Sequence, residues 1–170
     1  MEPSARLEAL AVDLCRHPAL AKLDAHLREE TGLGLLILLP QENEKREIVS
    51  AGDLIRLPEF CRLMHSSEQG RQRCITCRSL TSFAAVNRGL IEHSCHGGVS
   101  VLAAPVLLPG GDASDYLVVC SCAFATDKRG ADWRAARRHA TGTGLDLKRL
   151  RKAYRQLPHL QASRLAFAKR

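Results

Sequence analysis

Two apolar runs, residues 99–108 and 116–125, flank the tetrapeptide Pro109-Gly110-Gly111-Asp112. That arrangement constrains the fold more than any other feature of the chain. Adjacent glycines reach the positive-φ backbone of tight hairpin turns, so two long antiparallel strands are predicted. A third apolar run, residues 33–39, lies between Gly32 and Pro40 and reads as a buried strand. The polar stretch at 41–46 is then a turn, and 47–51 a returning strand, which makes a second hairpin. Around these stand helical periodicities: Leu7, Leu10, Leu14, then Leu20, Leu23, Leu27, the latter closed by Thr31-Gly32. Ser66 precedes Gln69 by three, a capping pattern that opens a helix over 67–87, and Gly89 stops it. Its core face is read as Ile75, Phe83, Val86 and Leu90. Residues 91–94 form a short extended segment. Further helices are predicted at 133–139 and 145–157, and residues 160–170 are helical in pattern without a cap. Helices and paired strands are segregated, not alternating, so the class is α+β with an antiparallel sheet flanked by helices.

At 170 residues the chain fits one domain with a core of its own. The apolar run ending at Pro40 is too short to span a bilayer. The opening residues lack the basic start and apolar stretch of a signal peptide, so the expected location is the cytoplasm. In that compartment seven cysteines point to thiols or metal ligands rather than disulfides. The formal charge of +7 divides unevenly. Residues 1–127 hold 12 Lys+Arg against 16 Asp+Glu, a net of −4, while 128–170 hold 13 against 2, a net of +11. A basic end on a mildly acidic globule is a solvated helix face or a link near an anionic partner. No complete helix-turn-helix or zinc finger is present, so direct contact with DNA by this chain alone is not expected. On this reading residues 1–142 are the globular unit and 143–170 a basic helical segment leading out of it, toward a further domain outside this chain.

Four cysteines stand out: Cys61, Cys74, Cys77 and Cys95, the last followed at once by His96. Cys74 and Cys77 share a helix face at i, i+3, and the other two come from loop-like positions able to bend toward them. Metal binding needs converging thiolates, and a Cys-x-x-Cys pair supplies two from one element. Arg71, Arg73 and Arg78 are expected to lower the thiol pKa values and offset the charge of a tetrathiolate site. Zinc favours two such pairs, whereas iron–sulfur clusters accept an isolated pair, and the residues do not choose between them. Packing of Cys61 and Cys95 as small core hydrophobes is the structural alternative.

Cys120 and Cys122 share a strand face with Tyr116, Val118 and Phe124. That face is taken to line a pocket between the sheet and the long helix, with His96 at its edge. His65 and His93 are secondary candidates, and His17, His26, His139 and His159 are read as surface. Cys15 is read as core. Catalysis is set aside: Cys95 and His96 are adjacent and cannot easily pose for proton transfer, and no phosphate loop, zincin or nucleophile-elbow pattern occurs.

Phe60-Cys61-Arg62-Leu63, Cys74-Ile75-Thr76-Cys77, and Cys95-His96-Gly97-Gly98-Val99 with Ala104-Pro105-Val106 together resemble the PocR sensory domain. The resemblance covers roughly residues 15–140 and implies a PAS-like domain of a bacterial regulator sensing small hydrocarbon derivatives, often ahead of an AraC-type DNA-binding domain. It carries the family's cysteines onto Cys61, Cys74, Cys77 and Cys95, and its histidine onto His96. Two departures stand out: Arg78 replaces an acidic residue, and Cys120-Ser121-Cys122-Ala123 replaces a Gly-Gln. The alternatives are a metal or redox sensor without organic ligand and, last, a thiol enzyme. Leu147, Leu150, Tyr154 and Leu157 repeat at 3-4-3 spacing, a seam expected to pair two copies.

Overall fold

A computed structural model of the protein describes residues 3–40, 46–48, 57–107, 116–126 and 129–170. Helices α1 (Pro3–Arg16) and α2 (Pro18–Thr31) open the chain. Pro18 suits the first helical position because it has no N–H to leave unpaired, and His17 caps the turn by accepting from Ala19 N–H. Gly32 ends α2 in the left-handed region at φ 75. There follow β1 (Leu35–Pro40), β2 (Arg46–Ile48), α3 (Glu59–Ser66), α4 (Glu68–Arg88), β3 (Ile91–Ser94), β4 (Ser100–Leu107) and β5 (Tyr116–Ser121). Helices α5 (Arg129–Ala140), α6 (Leu147–Arg155) and α7 (Ala162–Ala168) complete the described residues.

The strands form one antiparallel sheet in the order β2-β1-β5-β4-β3. Both expected hairpins are present: Leu38 pairs Ile48, and Val106 pairs Leu117. Their turns, including Pro109-Gly110-Gly111-Asp112, lie outside the described residues. Leu36 pairs Cys120, which puts β5 at the centre of the sheet. Pro105 sits past the last β3 partner, Ala103, so its missing N–H costs no ladder bond there.

Alternation along the strands sends residues to two covered faces. Ile37 and Leu117 meet Ala11 of α1, while Leu33, Leu102 and Phe124 meet Leu160, Leu27 and Leu165 from the α2 and α7 side. On the opposite face Leu36, Leu38, Ala103, Val118 and Cys120 meet Ala85 of α4. A further cluster joins α3, α5 and α6 through Phe60, Met64, Ala136, Leu150 and Tyr154. The α+β class read from the sequence is the one observed, with helices on both sides of the sheet. Among the described residues no helix is long and apolar enough to cross a membrane.

Three expectations are corrected. The α4 cap is Ser67, whose oxygen accepts from Gly70 N–H at 3.1 Å, whereas the Ser66 hydroxyl donates to the Leu63 carbonyl. The inward face of α4 is not Ile75, Phe83, Val86 and Leu90: Phe83 is 70% exposed, and Gly70, Thr81, Ser82 and Ala85 are buried. Large apolar residues fail to mark that face because it carries Cys74, Cys77 and Arg78 to a cavity. Likewise Leu23 is exposed while Asp24 and Thr31 of α2 are buried. Thirdly, Leu150, Tyr154 and Leu157 are buried in their own domain, and Leu147 rests on the same cluster. The seam covers Phe60 and Met64, so it leaves no stripe for a second copy. The charged residues of α6 face outward, with Arg149 reaching Glu59 and Arg151 over the Trp133 ring.

Candidate metal and ligand site

Cys61 of α3, Cys74 and Cys77 of α4, and Cys95 after β3 line one cavity of about 90 Å³ between α4 and the sheet. The helical i, i+3 spacing brings the α4 pair to one wall. Cys95 arrives through a tight turn in which Gly98 N–H donates to the Cys95 carbonyl and Cys95 N–H to that of Val99. Gly98, at φ 71, supplies the left-handed residue such a turn requires. Leu36 and Val101 form the sheet-side wall.

The thiols are tied to imidazoles. Cys74 Sγ lies 3.0 Å from His96 Nε2, and Cys77 Sγ 3.7 Å from His93 Nε2. Cys95 Sγ accepts from Gly97 N–H at 3.3 Å, and the Arg78 guanidinium donates to His65 Nε2. His96 Nδ1 is buried with no hydrogen-bond partner among the described residues.

Burial pushes Cys74 up to about 11 and Cys95 up to about 12. Cys61 is raised well above its ordinary value by burial and then by Cys95, Cys74 and Cys122. Of the three arginines expected to lower these values, only Arg78 does so at Cys61, Cys74 and Cys77, and burial outweighs it. His65 is held down to about 4 by burial, then by Arg78. His96 is held down to about 4 by burial, then by His139, Arg73 and Arg78. At neutral pH the site is therefore a set of neutral thiols and neutral imidazoles, which becomes a strong soft-metal donor set once the thiols lose their protons. As folded, no three His, Cys, Asp or Glu among the described residues stand close enough to hold one ion.

The strand residues chosen from the sequence divide. Tyr116, Val118, Cys120 and Cys122 pack together on the α4 face with Leu36, Leu38 and Ala103, beside the cavity. Phe124 lies on the opposite face with Leu33 and Leu102. Strand β5 ends at Ser121, and beyond it Cys122 N–H donates to the Gly34 carbonyl, so simple alternation is lost. Ser121 and Ala123 line the cavity from this segment. His139, read as surface, stands 5.8 Å from His96 ring to ring. Nothing in its sequence neighbourhood signals this, because the contact depends on how α5 docks.

A family model described as "Sensory domain found in PocR" matches residues 13–169, nearly the whole chain. No curated protein and no solved structure matches the chain significantly.

Proposed function

The chain belongs to the PocR sensory-domain family, and from that premise we propose that it is the cytoplasmic small-molecule sensor of a bacterial transcription or signalling regulator, with a metal centre at Cys61, Cys74, Cys77 and Cys95. One observation carries this reading: four thiols from three separate elements line a single cavity. A set of four thiolates of this kind suits either zinc or an iron–sulfur cluster. Such a centre supplies redox response or a Lewis-acidic ligand position. The chain's own part is to hold the four sulfurs, to place His96 beside Cys74, and to offset negative charge with Arg78.

The organic ligand belongs to the same proposal, as a small hydrocarbon derivative reaching the wall formed by His96. Its signal passes to an output domain beyond the chain. A thiol enzyme is disfavoured because an activated nucleophile needs a lowered thiol pKa, whereas burial pushes Cys95 up to about 12.

Elemental analysis and a visible spectrum of anaerobically purified protein test the reading. A cluster gives iron, sulfide and brown colour, zinc gives metal without colour, and either content falls sharply in Cys61→Ser and Cys95→Ser. Metal-free wild type, or unchanged content in both variants, overturns the centre. If the centre stays but no organic molecule alters it, the protein senses metal or redox state alone.

A further inference from the structure

On the outer side of α4 a second, larger recess of about 620 Å³ opens between α4, β3 and the end of α5. We propose that this groove binds a small organic oxyanion, a carboxylate or phosphate ester, with Arg73 as its charged anchor.

Four observations support this. The volume is that of a small-molecule site, several times what a bare ion fills, so the ligand carries an organic body as well as a charge. Among the described residues no carboxylate lines the groove, whereas Arg73, His93 and His139 do, with the hydroxyls of Thr76 and Ser94 between them. Arg73 is already held in place, because one of its N–H groups donates to the His139 carbonyl at 2.7 Å. A guanidinium has five such donors, so a carboxylate or phosphate meets a pre-oriented fork. Leu80, 59% exposed on the same helix, offers an apolar wall for the rest of the molecule.

Cys77 and His96 line this groove as well as the inner cavity. They are the partition between the two. An anion seated on Arg73 lies against the side chains that, through the Cys74–His96 and Cys77–His93 contacts, border the thiol site. The role of the groove as a sensor input rests on the proposed function, but the binding itself does not.

The test follows the imidazole ring resonances of His93 and His139 by NMR during titration with succinate, inorganic phosphate and uncharged 1,4-butanediol. Saturable shifts with succinate or phosphate, and none with the diol, are expected. Arg73→Gln should abolish them. Because Arg73 also bonds the His139 carbonyl, Thr76→Glu is the second variant: the position is exposed, and it adds a carboxylate to the groove. It should weaken anion binding by about tenfold or more through like-charge repulsion, with the melting temperature unchanged. Absence of shifts with either anion, equal shifts with the diol, or unchanged affinity in Thr76→Glu overturns the site. Metal content measured on the same samples reports on the thiol centre separately, so the two readings fail independently.

Discussion

The rings of Phe60 and Tyr154 meet edge to face, 5.7 Å between centroids and 70° between planes. Phe60 precedes Cys61 in α3, and a methyl group added at Gly97 would lie 3.3 Å from the same ring. One buried aromatic therefore touches the turn bearing Cys95 and His96 on one side and α6 on the other. Tyr154 in turn contacts Trp133 of α5 at 5.4 Å. Interiors are close-packed, so a rearrangement of the thiol turn cannot leave Phe60, and hence α6, undisturbed. Phe60 thereby links the thiol turn to the C-terminal helices by direct packing.

The same packing predicts how α6 answers mutation. Leu150 is fully buried in the cluster with Phe60 and Met64. Leu150→Glu puts an unpaired carboxylate there and should cost more than about 4 kcal/mol, enough to unfold the domain. Circular dichroism melts and sedimentation of the variant decide the matter. A folded variant that merely changes from dimer to monomer would restore the interface reading of the seam.

Much of the fold was legible because strands and turns leave strong local marks. The two hairpins followed from apolar runs beside Gly and Pro, and the Cys-x-x-Cys pair lay where the helix period put it. The inward face of α4 was not legible, because it is built of Cys74, Cys77, Thr81, Ser82 and Ala85 rather than large apolar residues. A cavity wall needs small and polar side chains, and hydrophobic periodicity is blind to those. The 3-4-3 stripe of α6 was ambiguous in principle, since docking on one's own core and pairing with a copy demand the same pattern. The Phe124 placement failed for a different reason. The strand ends at Ser121, three residues short of it, and period-2 alternation holds only within a strand.

Gly98 should be intolerant of any side chain. Its φ of +71 is in the left-handed region, and a Cβ there would lie 2.4 Å from the Asp132 carbonyl oxygen and 2.7 Å from Ala135 Cβ. Strain of about 1–2 kcal/mol from the backbone adds to about 1–3 kcal/mol of overpacking. Gly98→Ala is therefore expected to lower stability by about 3 kcal/mol in urea unfolding. At Gly97→Ala the nearest neighbours are the Phe60 ring and Cys95 Sγ, at 3.3 and 3.4 Å, so this change should cost less than half as much. Equal effects would show that the turn is not held against α5 as described.

Acid should destabilise the protein through His65. Burial and Arg78 hold its folded pKa down to about 4, against an ordinary 6.5. The unfolded chain thus takes up this proton first, and stability present at neutral pH is lost progressively as pH falls from 6.5 toward 4. His65→Gln removes that contribution, so its urea midpoint should fall less than that of the wild type between about pH 7 and about pH 5. His96, held down to about 4 as well, keeps part of the slope in the variant. Parallel losses in the two proteins would contradict the placement of His65 against Arg78.

Thiol reactivity gives the most direct check on burial at the site. In chelator-treated, metal-free protein, Cys95 and Cys120 are both pushed up to about 12 by burial, and Cys74 to about 11. Only the thiolate attacks a disulfide reagent. An ordinary cysteine with a pKa of about 8.5 is roughly a quarter ionised at pH 8, while one near 12 is ionised about one part in ten thousand. Labelling of Cys95 at pH 8, followed by mass spectrometry, should therefore run at least about a hundredfold slower in the folded protein than in urea. Raising the pH to about 10 should accelerate the folded-state reaction, because the thiolate fraction grows tenfold per unit below the pKa. Labelling of Cys95 at the unfolded rate would mean that the thiol is ionised, and then neither the neutral-thiol description of the cavity nor the argument against a nucleophilic Cys95 would stand.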